Sequence, residues 1–164
     1  MISESKFKPT GVVTATLFDK YGNIKQKEVS TNMVVTTGCE LIASRLSAVN
    51  PIDLPCCMAV GTGTGDTEIS MTGLKAEVAG SRTKFDVLPS EPEGSENRYP
   101  TRDGAVVTYV TTFPEGVGVG ALVEVGIFNN MTKGEGVMLN RVKFPIITKE
   151  SSDTLIVQWA VTIS

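Results

Sequence analysis

The sequence predicts a mainly β protein, an antiparallel β-sandwich or flattened barrel with one α-helix and long surface loops. Three observations lead to this fold class. Most apolar residues alternate with polar ones, which is the period of a half-buried strand. Short clusters of glycine, proline, asparagine and serine separate the alternating segments, so consecutive strands should pair antiparallel. Only one segment has strong helical spacing.

The first predicted element is a β-hairpin. Residues 11–19, GVVTATLFD, alternate apolar and polar side chains, and the turn residues KYGN follow them. Residues 24–30, IKQKEVS, are polar enough for an edge strand whose lysines discourage further pairing. A chain of 164 residues is most simply one domain, so residues 1–10 are interpreted as an N-terminal arm and residues 11–164 as a single β-rich domain.

The single predicted helix covers about residues 38–49. Thr37 and Glu40 have the spacing of a capping box, in which both side chains bond to free backbone N–H groups. Prolines then end the helix, and the apolar segment CCMAV, residues 56–60, follows as a short strand. A second, weaker helix is predicted over residues 72–79. The side chains predicted to form the buried stripe of the first helix are Cys39, Ile42, Leu46 and Val49.

The second half of the chain predicts a long loop and then four strands. Residues 88–104 contain three prolines, two glycines and three glutamates, so they should form a surface loop or an arm that orders on a neighbour. The strands are predicted over residues 105–113, 121–129, 137–144 and 154–163. In the last strand, Leu155, Val157, Trp159 and Val161 share one face, which places Trp159 in the core.

The composition removes several function classes. The chain has no histidine, which excludes Ser-His and Cys-His nucleophilic pairs and His-containing zinc sites. Three cysteines are too few for a four-cysteine zinc site, and they are expected to be buried free thiols in a reducing cytoplasm. No feature singles out two carboxylates held in a cleft. We therefore predict a protein that is not an enzyme and has no catalytic, cofactor-binding or metal-binding residues.

The segment VGTGTGDTE, residues 60–68, has the glycine content of a phosphate-binding loop without its chemistry. A Walker A loop places a lysine directly after its last glycine, whereas Gly65 is followed by Asp66 and the next lysine is Lys75. An aspartate beside a phosphate adds repulsion instead of neutralising charge. We expect these residues to form a mobile structural loop at which a neighbouring subunit makes contact.

Segments spread over most of the chain resemble a known family. MAVGTGTG, EVGIFNN and MLNRVKFPIITKESSDTLIVQWAVTIS are similar, in this order, to small structural proteins of tailed bacteriophages, usually described as tail-fibre or tail-associated virion proteins. The resemblance covers roughly residues 35–164, and its most specific part is residues 138–163. TNMVVTTGCELIASRL also looks like the segment that leads into the family's single helix. The family has no catalytic residues to carry over.

The resemblance implies a non-enzymatic structural component of a tailed phage virion, associated with the tail or tail fibre and made in the host bacterial cytoplasm. A capsid decoration protein that reinforces the outer shell is the alternative hypothesis, and a carbohydrate-binding module for host attachment is a third. The expected partners are tail or capsid subunits and further copies of the chain, with a trimer as the arrangement known from fibres and shell ornaments.

Other binding partners are not expected. The net charge is −3 with scattered basic residues, which disfavours nucleic acid, and no apolar run is long enough to cross a membrane. The candidate assembly contacts lie in the arm, in the glycine-rich loop and in the long loop. They are Lys6, Phe7, Lys8 and Pro9; Gly61, Gly63, Gly65 and Asp66; and Pro92, Arg98, Tyr99 and Arg102.

Overall fold

A computed structural model of the protein describes residues 9–163, apart from the side chain of Met33. This part of the chain is mainly β, with two antiparallel sheets and a single helix, which confirms the predicted fold class. No helix within it is both long enough and apolar enough to span a membrane. The elements are β1 (Thr10–Phe18), β2 (Ile24–Met33), α1 (Thr36–Ser47), β3 (Cys57–Gly61), β4 (Thr83–Lys84), β5 (Thr101–Asp103), β6 (Val106–Phe113), β7 (Gly120–Phe128), β8 (Met138–Lys149) and β9 (Thr154–Thr162).

The larger sheet has five strands in the order β2-β1-β9-β6-β5, and all neighbours are antiparallel. The predicted hairpin of β1 and β2 forms one edge of this sheet. In its turn, the carboxylate of Asp19 accepts the backbone N–H groups of Tyr21 and Asn23, and the bond from Asn23 is the main cause that lowers the pKa of Asp19. Alternation places Trp159 on the inner face with no exposed surface, which confirms its predicted position.

The smaller sheet has the order β4-β3-β7-β8, and every residue of β3 is buried. It packs on the inner face of the larger sheet, and the apolar side chains of both sheets form the core. At one side the sheets meet where Val34 bridges Asn140 and the Gln26 amide donates to the Ile146 carbonyl. The ladder does not close around the molecule, so of the two predicted forms the protein adopts the sandwich and not a barrel.

The helix α1 exists but its predicted details are partly wrong. It begins at Thr36, and no side chain caps its start; the Thr37 hydroxyl donates to the Met138 carbonyl on β8 instead. The residues that α1 buries are Gly38, Leu41 and Ser44, because a close approach to β8 leaves no room for a Cβ at Gly38. The predicted stripe is therefore rotated: Cys39 and Ile42 pack partly against the core, whereas Leu46 and Val49 are exposed.

Two further segments remain, and the prediction is wrong for the first of them. Residues 72–79 are not helical; they run past the end of β3, where Glu77 bridges Gly61. Residues 88–104 order on their own chain: the Leu88 N–H donates to the Asn97 carbonyl, and β5 completes the edge of the larger sheet. Of the two predicted alternatives, this segment therefore has the form of a surface loop, several of whose backbone groups bond within the chain.

Candidate functional site

A buried ion pair lies beneath the glycine-rich loop, on the outer side of the smaller sheet. Glu124 on β7 and Arg141 on β8 have no exposed side-chain surface, and 2.6 Å separates Oε2 of Glu124 from Nε of Arg141. Charges removed from water in this way require further bonds to offset the loss of hydration. Those bonds come from the backbone of residues 63–76.

Each partner of the pair holds a different set of backbone groups. Oε1 of Glu124 accepts the N–H groups of Gly63 at 3.0 Å and Ala76 at 2.8 Å, and Oε2 accepts that of Lys75 at 3.1 Å. The guanidinium of Arg141 donates to the carbonyls of Gly63 and Gly65 and to the Thr67 hydroxyl. The loop thus binds an anion, but the anion is the protein's own carboxylate.

The glycines are needed because the loop lies so close to this pair. A Cβ at Gly61 or Gly63 would overlap the Glu124 carboxylate, and Gly65 has a positive φ of 93°. The expectation of a mobile loop is wrong, since side chains from two core strands hold its backbone. Asp66 is exposed beside it, and Lys143 at 2.8 Å lowers the pKa of this carboxyl.

Two other buried cations are also held by structural contacts. Arg82 pairs with Glu77 at 2.9 Å, donates to the Asn130 and Glu135 carbonyls, and stacks over the Phe128 ring at 4.0 Å. Lys149 donates to two carbonyls near the β8–β9 turn, and burial lowers its pKa. Arg82 and Glu77 also line a cavity of about 480 Å³ together with Lys75, Lys133 and Glu135, but the contacts just described tie both of them to the fold.

The cysteines behave as structural thiols. All three are free, as predicted, but only Cys57 is buried, whereas Cys39 and Cys56 are partly exposed. The Cys57 thiol lies in the smaller core cluster and contacts the Asn130 carbonyl at 3.3 Å. Burial raises the pKa of Cys57 to about 12, which keeps it protonated and unreactive. Among residues 9–163, no three His, Cys, Asp or Glu side chains converge to hold a metal ion.

An apolar groove opens between α1 and the end of the larger sheet. Its volume is about 460 Å³, and among the described residues that line it the charged ones are the cations Arg45 and Arg102. Leu46 and Leu54 on its walls are 84% and 61% exposed, and Val49 nearby is 67% exposed. Monomeric proteins seldom leave several large aliphatic side chains together in water. The other apolar wall residues include Leu41, Ile42, Val107 and Val161.

The structure distributes the predicted contact residues over separate places. Lys6, Phe7 and Lys8 lie outside the described residues, and Pro9 is buried at the start of β1 with its carbonyl bonded to the Val34 N–H. Gly61, Gly63, Gly65 and Asp66 form one cluster around the Glu124–Arg141 pair. In the long loop, Pro92 is exposed, Arg98 donates to the Phe85 carbonyl, and Tyr99 packs partly on the core. Of these residues, Arg102 lines the apolar groove.

Sequence reasoning missed the buried ion pair and the groove. A signal for the pair was present, because Glu124 interrupts the apolar run ALVEVGIF and Arg141 interrupts VMLNRVKF. A charged side chain inside an apolar strand needs a buried partner. No such signal existed for the groove, because the rotation of α1 decides which side chains face outward.

No protein-family model, curated protein or solved structure matches this chain.

Proposed function

We propose that the protein is a non-enzymatic structural component of a tailed bacteriophage virion, associated with the tail or tail fibre. It acts by burying its surface against neighbouring subunits of the particle. The phage assignment rests on the sequence resemblance over residues 35–164. The mode of action rests on the groove beside α1.

The groove carries the argument because it is an apolar surface that no other segment of residues 9–163 covers. Leu46 and Leu54 expose most of their side chains there. Contact of these apolar side chains with water is unfavourable, and covering them with another surface is therefore favourable. The cations Arg45 and Arg102 at the groove suit a neighbour that brings carboxylates to its rim. A subunit contact uses both features, whereas catalysis uses neither.

The buried polar groups are consistent with this proposal. The carboxylates of Glu124, Glu77 and Asp153 each accept bonds from backbone or cationic groups of the same fold. The single tryptophan is fully buried, so Trp159 does not offer a ring on which a sugar could stack. This favours assembly over the carbohydrate-binding hypothesis.

Labelling of intact particles tests the location. Gold-labelled antibody against the protein should decorate the tail or its fibres in electron micrographs of purified virions. Label spread over the icosahedral shell would favour the alternative of a capsid decoration protein, and particles without label would contradict a virion role altogether.

Variants of the groove test the mode of action. Leu46→Glu combined with Leu54→Glu should leave the fold intact, because both side chains are exposed, but should reduce incorporation into particles at least about tenfold. Tyr21→Glu is the matched control, since Tyr21 is 77% exposed in the distant β1–β2 turn and should be incorporated normally. Equal incorporation of both variants would contradict the role of the groove.

A further inference from the structure

The outer face of the five-stranded sheet is an open, nearly uncharged surface. The pairing register places Val12, Thr14 and Thr16 of β1 beside Ala160, Gln158 and Ile156 of β9 on this side. The adjoining strands continue it with Val29 and Thr31 of β2 and with Thr108, Val110 and Thr112 of β6. Their sequence neighbours point into the core, so these side chains point away from it.

Within residues 9–163, charged side chains occur only around the perimeter of this face. Lys27 lies on β2 at one edge, and Asp103 lies on β5 at the other. Asp86 reaches the β6 side, where its carboxylate accepts the hydroxyl of Thr112. A solvated antiparallel face normally carries charged side chains among its outward positions. Here the centre consists of valine, threonine, alanine, isoleucine and one glutamine.

The face is large enough for a weak specific interface. The four long strands β2, β1, β9 and β6, at about 4.8 Å spacing and with about four outward positions each at about 6.8 Å, give roughly 500 Å² of projected area. Two such faces in contact bury on the order of 1,000 Å², which is the lower end for a biological interface. Interfaces at this end of the size range are typical of weak or transient contacts, so association is sought at micromolar concentrations.

We propose that this face packs against the same face of a second copy of the chain, sheet on sheet. The partner must be flat, pleated and uncharged at its centre so that the side-chain rows interdigitate. The outer side of the smaller sheet does not fit, because residues 63–76 cover it over the Glu124–Arg141 pair. A face whose charges are all at its perimeter can meet its own copy about a two-fold axis without bringing like charges together at the centre.

Gln158 is the position at which this proposal is tested. It lies on the central strand between Thr14 and Val110, it is exposed, and a two-fold axis through the centre brings it close to Gln158 of the other copy. In analytical ultracentrifugation of the full chain, the wild type should show a concentration-dependent dimer. Gln158→Lys and Gln158→Glu should each weaken it at least about tenfold, since like charges then oppose each other.

A mixture of the two Gln158 variants should restore association, because lysine then faces glutamate. Thr148→Lys, at an exposed position of β8, is the control and should dimerise like the wild type. A wild type that stays monomeric over the micromolar range would overturn the proposal. Dimerisation that Gln158→Lys leaves unchanged and Leu46→Glu abolishes would also overturn it and would assign the contact to the groove. These ultracentrifugation results do not depend on where the protein lies in the virion, which the particle labelling decides separately.

Discussion

Replacing Glu124 with glutamine should destabilise the protein far more than this small change suggests. The two carboxylate oxygens accept four N–H groups, from Gly63, Lys75, Ala76 and Arg141. An amide presents an NH₂ group to two of these donors and leaves the Arg141 cation buried without a counter-charge. Breaking a buried pair in this way costs about 3–5 kcal/mol in the free energy of unfolding. For a chain of this length, the melting temperature should fall by about 6–20 °C.

Thermal and urea unfolding followed by Trp159 fluorescence measure this effect, because Trp159 is the single tryptophan and is buried. Asp66→Asn is the matched control in the same loop: its side chain is 95% exposed, so loss of its contact with Lys143 should not change stability measurably. The reasoning is refuted if Glu124→Gln melts within about 2 °C of Asp66→Asn, because the pair would then contribute no more than a solvated one.

Three further predictions concern other parts of the molecule. Gly63→Ala should melt well below Gly73→Ala, because a Cβ at Gly63 overlaps neighbouring side chains whereas nothing lies within 4 Å of one at Gly73; equal melting temperatures would contradict this. Cys57 should resist thiol reagents at about pH 8 until the protein unfolds, since burial raises its pKa to about 12; labelling at the rate of a free thiol would count against it. Lys25 at 2.7 Å lowers the pKa of Asp153, so the stability from this contact is present above the unfolded value of about 3.9 and disappears as the pH falls through the lower folded value. Unfolding curves of Asp153→Asn and the wild type should therefore converge in acid, and a difference that persists at the lowest pH would show that the contact is not electrostatic.

The strands could be predicted because their cause is local. Apolar and polar residues alternate along β1 and β9, and burial of one face follows directly from that period. The inward position of Trp159 could be predicted from its place in this alternating pattern alone. The same holds for the hairpin, whose turn residues lie within a few positions of both strands.

The incorrect predictions concern features that depend on contacts between residues far apart in the chain. At the start of α1 the Thr36 N–H donates to the Ile69 carbonyl, and the Thr37 hydroxyl donates to the Met138 carbonyl on β8; the predicted capping box therefore does not form. The outward position of Leu46 follows from the close contact between Gly38 and β8. Such contacts depend on the packed arrangement of the strands, which periodicity along one segment does not contain.

In the glycine-rich loop, the residues that hold the backbone in place are not the residues that the loop exposes to solvent. The groups that determine its backbone path belong to β7 and β8, whereas the side chains at positions 62, 64, 66 and 68 point into solvent. Substitutions at those four positions therefore change what the loop displays without changing where it lies. A library randomised at these four positions should therefore consist mostly of folded proteins.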